Sequence, residues 1–306
     1  MISVTSVHWK GALDKGPHFP LFPQGKPSTG KVNVKETAAG TTLTAGSLCA
    51  TVSSKEHTFD IRFHSADGKT ITSLQHRSIG IAYNPPPASP MQLSDMRRFK
   101  HYIFSQHSLG VGEQIFGLGE RFTAFNKVGQ SITLTNADGG TSSEQAYKNV
   151  PFYISSQGYG VFIDHTEAVD LEIGSERSSR CQVSVESQKL KWYIIYGPTP
   201  KEVLRKYCIL TGKPAKLPSW SYGLWLSTSF TTQYDEQTVS SFIDGMRERE
   251  IPVHVFHYVY HTTRMNCLIY CANKAHRTVS GSESFTGVIL FFQGKISPTR
   301  LPICLC

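Results

Sequence analysis

A chain of 306 residues can bury a large core in one large domain or two ordinary ones, and a composition 39% hydrophobic and 18% charged excludes a disordered chain. The net charge of +8 invites a nucleic-acid reading. Half of the excess lies in residues 261–306, where Arg264, Lys274, Arg277, Lys295 and Arg300 face Glu283 alone (5 − 1 = +4). The rest of the chain carries the other +4 without a basic run, which excludes a nucleic-acid surface.

Up to about residue 197 the pattern is two-residue alternation broken by Gly, Asn, Asp and Pro, as in Thr58–His64, Ser131–Thr135, Gly160–Asp164, Cys181–Glu186 and Lys191–Tyr196. Short strands at close spacing predict an antiparallel β-sandwich. Pro85, Pro86, Pro87 and Pro90 mark an irregular connection, since proline cannot donate to a ladder. At residue 198 the texture changes. Thr199, Pro200 and Glu202 spell a capping box with proline in the first turn, so a helix is expected to about Leu210, ended by Gly212.

The apolar run Tyr222–Leu226 reads as a buried strand. A helix follows over Asp235–Arg249, with Val239, Phe242, Ile243 and Met246 on one face. Val253–His257 reads as a second strand, so strand, helix and strand form a βαβ unit with two parallel strands. From Thr262 onward periodicity is lost apart from Val288–Phe292, and the composition turns basic and cysteine-rich, which predicts a disordered tail unrelated to the body.

Cys49, Cys181 and Cys208 stand alone in apolar contexts and read as buried free thiols of a reducing compartment. The other cysteines, Cys267, Cys271, Cys304 and Cys306, lack the paired knuckles of a zinc site. The first ten residues have no basic, apolar leader pattern, no run reaches the ~18 apolar residues of a membrane span, and no Asn-X-Ser/Thr acceptor occurs. A cytoplasmic protein without a membrane partner is the expectation.

Few motifs carry chemistry. Gly110-Val111-Gly112 and Gly117-Leu118-Gly119 miss the third glycine of a dinucleotide loop, where Ile115 and Phe122 stand, and are expected as turns between strands. His254 and His257, three apart on a strand, point to opposite faces and make a poor chelate, so no metal site is expected. No nucleophile elbow and no P-loop occurs. The polar loop Asn136–Asn149 is either a solvated connection or a binding element. Ser227–Tyr234 follows the first parallel strand, where loops of β/α barrels build active sites, and its aromatics either stack on a ligand or plug the barrel.

Four stretches resemble the α-xylosidase branch of glycoside hydrolase family 31: Gly117–Phe125 (GLGERFTAF), Asp138–Asn149 (DGGTSSEQAYKN), Pro198–Leu204 (PTPKEVL) and Gly223–Thr232 (GLWLSTSFTT). The resemblance spans about residues 8–258. It implies a galactose-mutarotase-like β-sandwich over 1–197, a linker helix over 198–215 and the start of a (β/α)8 catalytic barrel over 216–260, with 261–306 as the unrelated tail. It further implies hydrolysis of terminal α-xylosides with retention, no cofactor, a carbohydrate partner, and homo-oligomeric assembly as an option for full-length members. Asp138 matches the carboxylate of a sandwich loop that shapes the sugar subsite. Phe230 matches an aromatic of the same pocket.

At Val259 the chain departs from the family pattern, which has there an aspartate that contacts the sugar. Retaining enzymes hold two carboxyl groups about 5–5.5 Å apart, and in the family both are aspartates of later barrel strands, so no catalytic residue is expected here. Asp235, Glu236, Asp244, Glu248 and Glu250 read as a solvated helix face. The expected function is therefore that of an α-xylosidase sequence stopping short of its catalytic aspartates and inactive as it stands. The other readings are a carbohydrate-binding pseudoenzyme and a nonfunctional fragment.

Overall fold

The structure, a computed structural model, describes residues 1–12, 18–27, 32–38, 40–53, 59–84, 100–137, 145–227 and 236–257. Its strands run β1 (Ile2–Val7), β2 (Val32–Thr37), β3 (Gly40–Ala45), β4 (Leu48–Ser53), β5 (Ile61–Ser65), β6 (Thr70–Leu74), β7 (Ile79–Asn84), β8 (Lys100–Ser108), β9 (Ile115–Gly119) and β10 (Gln130–Leu134). They continue with β11 (Asn149–Ser155), β12 (Tyr159–Ile163), β13 (Val169–Ile173), β14 (Arg180–Glu186) and β15 (Lys189–Tyr196), followed by helix α1 (Pro200–Thr211). Strand β16 (Trp225–Leu226), helix α2 (Glu236–Glu248) and strand β17 (Val255–Phe256) complete the order. The chain divides into two compact units after Pro214.

The first unit is the expected antiparallel assembly, in three five-stranded sheets ordered β1-β15-β12-β11-β9, β10-β13-β14-β8-β7 and β2-β3-β4-β5-β6. One apolar core joins them. Leu171, Val183 and Val185 from the second sheet meet Trp192, Ile194 and Tyr153 from the first and Phe63, Leu74 and Leu48 from the third. Alternation explains which residues point inward, because side chains two apart on a strand share a face. On β15, Leu190, Trp192 and Ile194 enter this core, while Tyr193 and Ile195 turn to the opposite face. That opposite face is covered by α1, so β15 and β12 are buried on both sides and read in sequence as nearly continuous apolar runs.

Helix α1 starts at the expected capping box: the Thr199 side chain accepts from the Glu202 backbone N–H, the Glu202 carboxylate reaches back, and Gly212 ends the helix. It buries Val203 and Leu210 against Phe152, Phe162 and Ile195. Tyr207 stacks on Phe152 with ring centroids 4.0 Å apart. The stretch that reads as a linker in sequence is thus a packed layer of the first unit, because its apolar face finds the outer side of the sheet. Thr199→Ala costs only the local cap, whereas loss of Val203 would open that layer.

In the second unit β16 and β17 pair in parallel, with Trp225 opposite Val255 and Leu226 opposite Phe256, joined through α2 as expected. The strands are shorter than their apolar runs. Ser219–Tyr222 forms a 3-10 turn in place of the strand expected from Tyr222. On α2, Val239 is buried but Phe242 is 39% exposed, since the described residues of this unit offer only two short strands to cover its apolar face. No helix among the described residues is long and apolar enough to cross a membrane.

Candidate functional site

Gly117-Leu118-Gly119 is not the expected turn. It is the end of β9, paired with β11, and all of its residues have positive φ (117°, 69° and 88°). Glycine is required at 119 because a Cβ there would lie 2.2 Å from the Lys148 carbonyl oxygen. Leu118 takes the left-handed conformation with its side chain fully buried in the core. The irregular register between Asn149 and Tyr153 on β11 marks the same distortion. Gly110-Val111-Gly112, by contrast, does form a turn.

This distortion delivers Glu120 and Arg121 to the base of the polar loop. The Glu120 N–H donates to the Lys148 carbonyl at 2.9 Å. Asn149 closes the loop: its Nδ2 donates to the carbonyls of Thr135 and Ala146 and to Asn136 Oδ1, each at 2.9 Å. Its Oδ1 accepts from the Arg121 guanidinium, which also donates to the Thr133 carbonyl at 3.4 Å. Asn136 and Ala146 form an isolated bridge, with the Ala137 N–H donating to the Ala146 carbonyl at 3.2 Å. Both ends of the loop are therefore held together, and Asp138 follows directly from Ala137. Replacing Asn149 by Ala removes bonds from three loop carbonyls or amides at once. We expect about 2 kcal/mol less stability in urea denaturation and faster proteolysis within 136–148, and unchanged cleavage there would overturn the clamp.

A second brace lies beside it. Lys127 is buried, and its ammonium donates to the Ala124 carbonyl at 2.7 Å and the Thr123 hydroxyl at 3.1 Å. Burial, and then the neighbouring Arg121 charge, hold its pKa below the ordinary lysine value. The brace shapes a segment that presents Phe125, 80% exposed, and Phe122, with Tyr147 exposed on the loop base. Exposed aromatics beside a polar loop are a surface suited to sugar rings, with an apolar face and hydroxyl partners.

Asp138 lies outside the described residues, as do Glu144, Phe230, Asp235 and Val259, so the structure brings neither expected sugar contact into a geometry. The chain toward Phe230 leaves through Ser227 at the C-terminal end of β16, the end from which barrel loops rise. His254 serves the strand pair: its Nδ1 accepts from the Leu224 backbone N–H at 3.1 Å, and its backbone N–H donates to the Leu224 carbonyl at 3.0 Å. No group of His, Cys, Asp and Glu among the described residues could hold a metal ion.

The buried carboxylate Glu113 was not legible as such in the sequence. It accepts from the Gly110 N–H and the Tyr159 hydroxyl, each at 2.7 Å, and from the Ser155 hydroxyl, so its lone pairs serve the fold. Asp244 pairs with Arg247 at 2.9 Å on an exposed face of α2, as a solvated face implies. Cys49 and Cys181 are buried free thiols and Cys208 is half-buried. Asn149, Arg121 and Lys127 are the residues that sequence reasoning passed over. Their only signal was position, beside the glycine pair and at the loop's end.

The glycosyl hydrolase 31 N-terminal galactose mutarotase-like domain matches residues 1–172, and the TIM-barrel domain of glycosyl hydrolases family 31 matches residues 214–274. The barrel match runs past residue 258, where the recognisable sequence pattern ends. An alpha-xylosidase of Emericella nidulans is 46% identical over 267 residues, covering 84% of this chain and 34% of that protein. Alpha-xylosidase XylQ of Lactiplantibacillus pentosus is 60% identical over 158 residues, 52% of this chain and 21% of that protein. The chain thus spans about a third of the first of these relatives and about a fifth of the second. A GH31 alpha-xylosidase from a soil metagenome, solved with xylose, has the same fold at a TM-score of 0.72 and 17% identity, covering 95% of this chain and 42% of that one. With more than half its length matched to the sandwich model and the barrel model following in order, the chain belongs to glycoside hydrolase family 31.

Proposed function

We propose that this chain is the sandwich and barrel-entry portion of an α-xylosidase that hydrolyses terminal α-xylosides with retention. The observation that carries the reading is the loop base. Asn149 and Arg121 hold together the two ends of a loop whose carboxylate, Asp138, matches on resemblance the family's sugar-contacting residue. The identity to the two alpha-xylosidases supports xylose over glucose as the sugar.

These 306 residues supply recognition and not the nucleophile or acid/base, which belong to later barrel strands. Positioning without the carboxylate pair contributes little rate. The domain plan that goes with this reading is a sandwich over 1–197, a helix over 198–215, barrel start over 216–260 and a distinct segment over 261–306.

The test is an assay of the purified chain and of a longer protein that carries these residues into a complete barrel, each with an aryl α-xyloside and an aryl α-glucoside. The longer protein is expected to release xylose faster than glucose, and the 306-residue chain to release neither. Turnover by the short chain would overturn the assignment of catalysis to later strands, and a glucose preference would overturn the substrate.

A further inference from the structure

The second sheet turns one face away from the sandwich core. Ile132 of β10, Leu171 of β13, Val183 of β14 and Ile103 of β8 enter that core, so their neighbours along each strand point the other way. Register sets Ser131, Glu172, Gln182 and Gln106 side by side across the four strands in one row. All four are exposed or half-buried, so the row meets water.

Hydrogen bonds hold the row in place. The Ser131 and Ser175 hydroxyls donate to the two oxygens of the Glu172 carboxylate, and Gln106 Nε2 donates to Gln182 Oε1 at 2.7 Å. A glutamine amide has a donor end and an acceptor end. The amide pair therefore keeps the Gln106 oxygen and the Gln182 amino group for a ligand.

A cleft of about 280 Å3 opens beside the row, lined by Gln106, Gln182, Glu172, Glu176, Arg177 and Arg180. Arg180 is fixed at its base, donating to Gln75 Oε1 at 2.7 Å and to Ser78 Oγ at 3.3 Å. Glu176 and Arg177 belong to the exposed turn between β13 and β14.

An aromatic ring shares this face. Phe104 stands two residues before Gln106 on β8, about 7 Å away along the strand. Its cross-strand neighbour on β7 is Gly80, where a Cβ would lie 2.5 Å from the tip of the ring. The glycine thus lets the ring rest across the β7 backbone, where it stays half-buried.

Charge and chemistry decide what such a face takes. Glu172 and Glu176 balance Arg177 and Arg180, 2 − 2 = 0, so the cleft favours neither an anion nor a cation. Carboxylates, guanidinium groups and amides side by side offer the mixed acceptors and donors that vicinal hydroxyls require. An aromatic ring next to them suits the apolar face of a sugar.

We propose that this face of the second sheet is an accessory binding site for a neutral oligosaccharide, with one sugar in the cleft against Gln182 and Arg177 and the next against Phe104. The proposal goes beyond the α-xyloside reading, because none of these residues belongs to the loop base or to β16. Each can fail without the other.

The test is calorimetric titration of the 306-residue chain with xylohexaose, maltohexaose and hexagalacturonate. Saturable binding of at least one neutral hexasaccharide is expected, little changed by salt and about tenfold weaker in the Arg177→Ala/Gln182→Ala double variant. Both positions are outside the core, and a thermal melt checks that the variant folds. Absence of saturable binding by both neutral sugars, or tighter binding of hexagalacturonate, overturns the proposal. Equal affinity in a folded double variant places the sugar elsewhere in the chain, which overturns this site and leaves the α-xyloside reading standing.

Discussion

On acidification from pH 6.5 toward 3 the sandwich is expected to lose stability through one side chain, His107, and a His107→Gln variant is expected to lose much less. His107 sits on β8 facing the core, fully buried, with its ring 4.4 Å from that of Trp192. Its Nδ1 lies 3.0 Å from the Tyr153 hydroxyl, and its Nε2 has no hydrogen-bond partner among the described residues. Burial pushes its pKa from 6.5 down to about 3.

The folded state thus keeps a neutral imidazole over a range where the unfolded chain takes up a proton. Stability from this group is complete above about pH 6.5 and is lost as the pH falls through that window, by about 1.4 kcal/mol per unit and about 5 kcal/mol in all. The thiol and the two phenols around it do not share this window. Burial raises the Cys181 thiol to about 12 and the Tyr153 and Tyr159 hydroxyls well above their ordinary value, so all stay neutral. Urea denaturation at pH 7, 5 and 4 on both proteins measures the difference in slope. Parallel pH profiles would sink the idea that His107 is the acid-labile point of the core.

The second large effect is expected from Gly119→Ala. Its φ of 88° already costs an L-residue about 1–2 kcal/mol, and the new methyl group would meet the Lys148 carbonyl oxygen at 2.2 Å. Backbone does not swing away as a flexible side chain does, so β9 and β11 must separate. The Glu120 N–H bond to Lys148 and the Arg121 contact to Asn149 go with them. A loss of about 4 kcal/mol or more follows, enough to shift much of the chain to insoluble material.

Gly112→Ala is the matched control. Its φ is 71°, yet nothing lies within 4 Å of the added carbon, so only the conformational cost of about 1 kcal/mol applies. Comparing melting temperatures of the two variants separates steric closure from backbone preference. Equal losses would show that the close approach of β9 to β11 is not what this glycine serves.

These two glycine pairs also mark the limit of what local chemistry can tell. Gly110-Val111-Gly112 and Gly117-Leu118-Gly119 look alike as text, and both read as turns. The first is one. The second is a strand end with a left-handed backbone, and its glycine is demanded by a carbonyl just before a strand about thirty residues away. A left-handed residue is encoded locally, but its reason is a tertiary neighbour.

Elsewhere the local code was sufficient. The capping box at Thr199, the stop at Gly212 and the alternation of Cys181–Glu186 each depend on hydrogen bonds or facing within a few residues, and all were legible. The parallel pairing of β16 and β17 followed from the strand–helix–strand order, because a helical crossover returns the chain in the same direction. Asp138 and Phe230 came from family resemblance and remain assignments made on that ground.

By itself, then, the sequence determined the fold class, the order of sandwich and barrel, and the family, since periodicity, caps and long motifs are properties of contiguous residues. Tertiary structure alone decided that α1 is a layer of the sandwich, that Asn149 and Arg121 clamp the loop base, that Glu113 and His107 are buried polar groups of the core, and that Lys191 pairs with Asp164 beside the Tyr193 ring. Each of those facts joins residues far apart in the chain. Which partner a charge or an amide meets is set by sheet register and packing, and neither is written in the composition of any one segment.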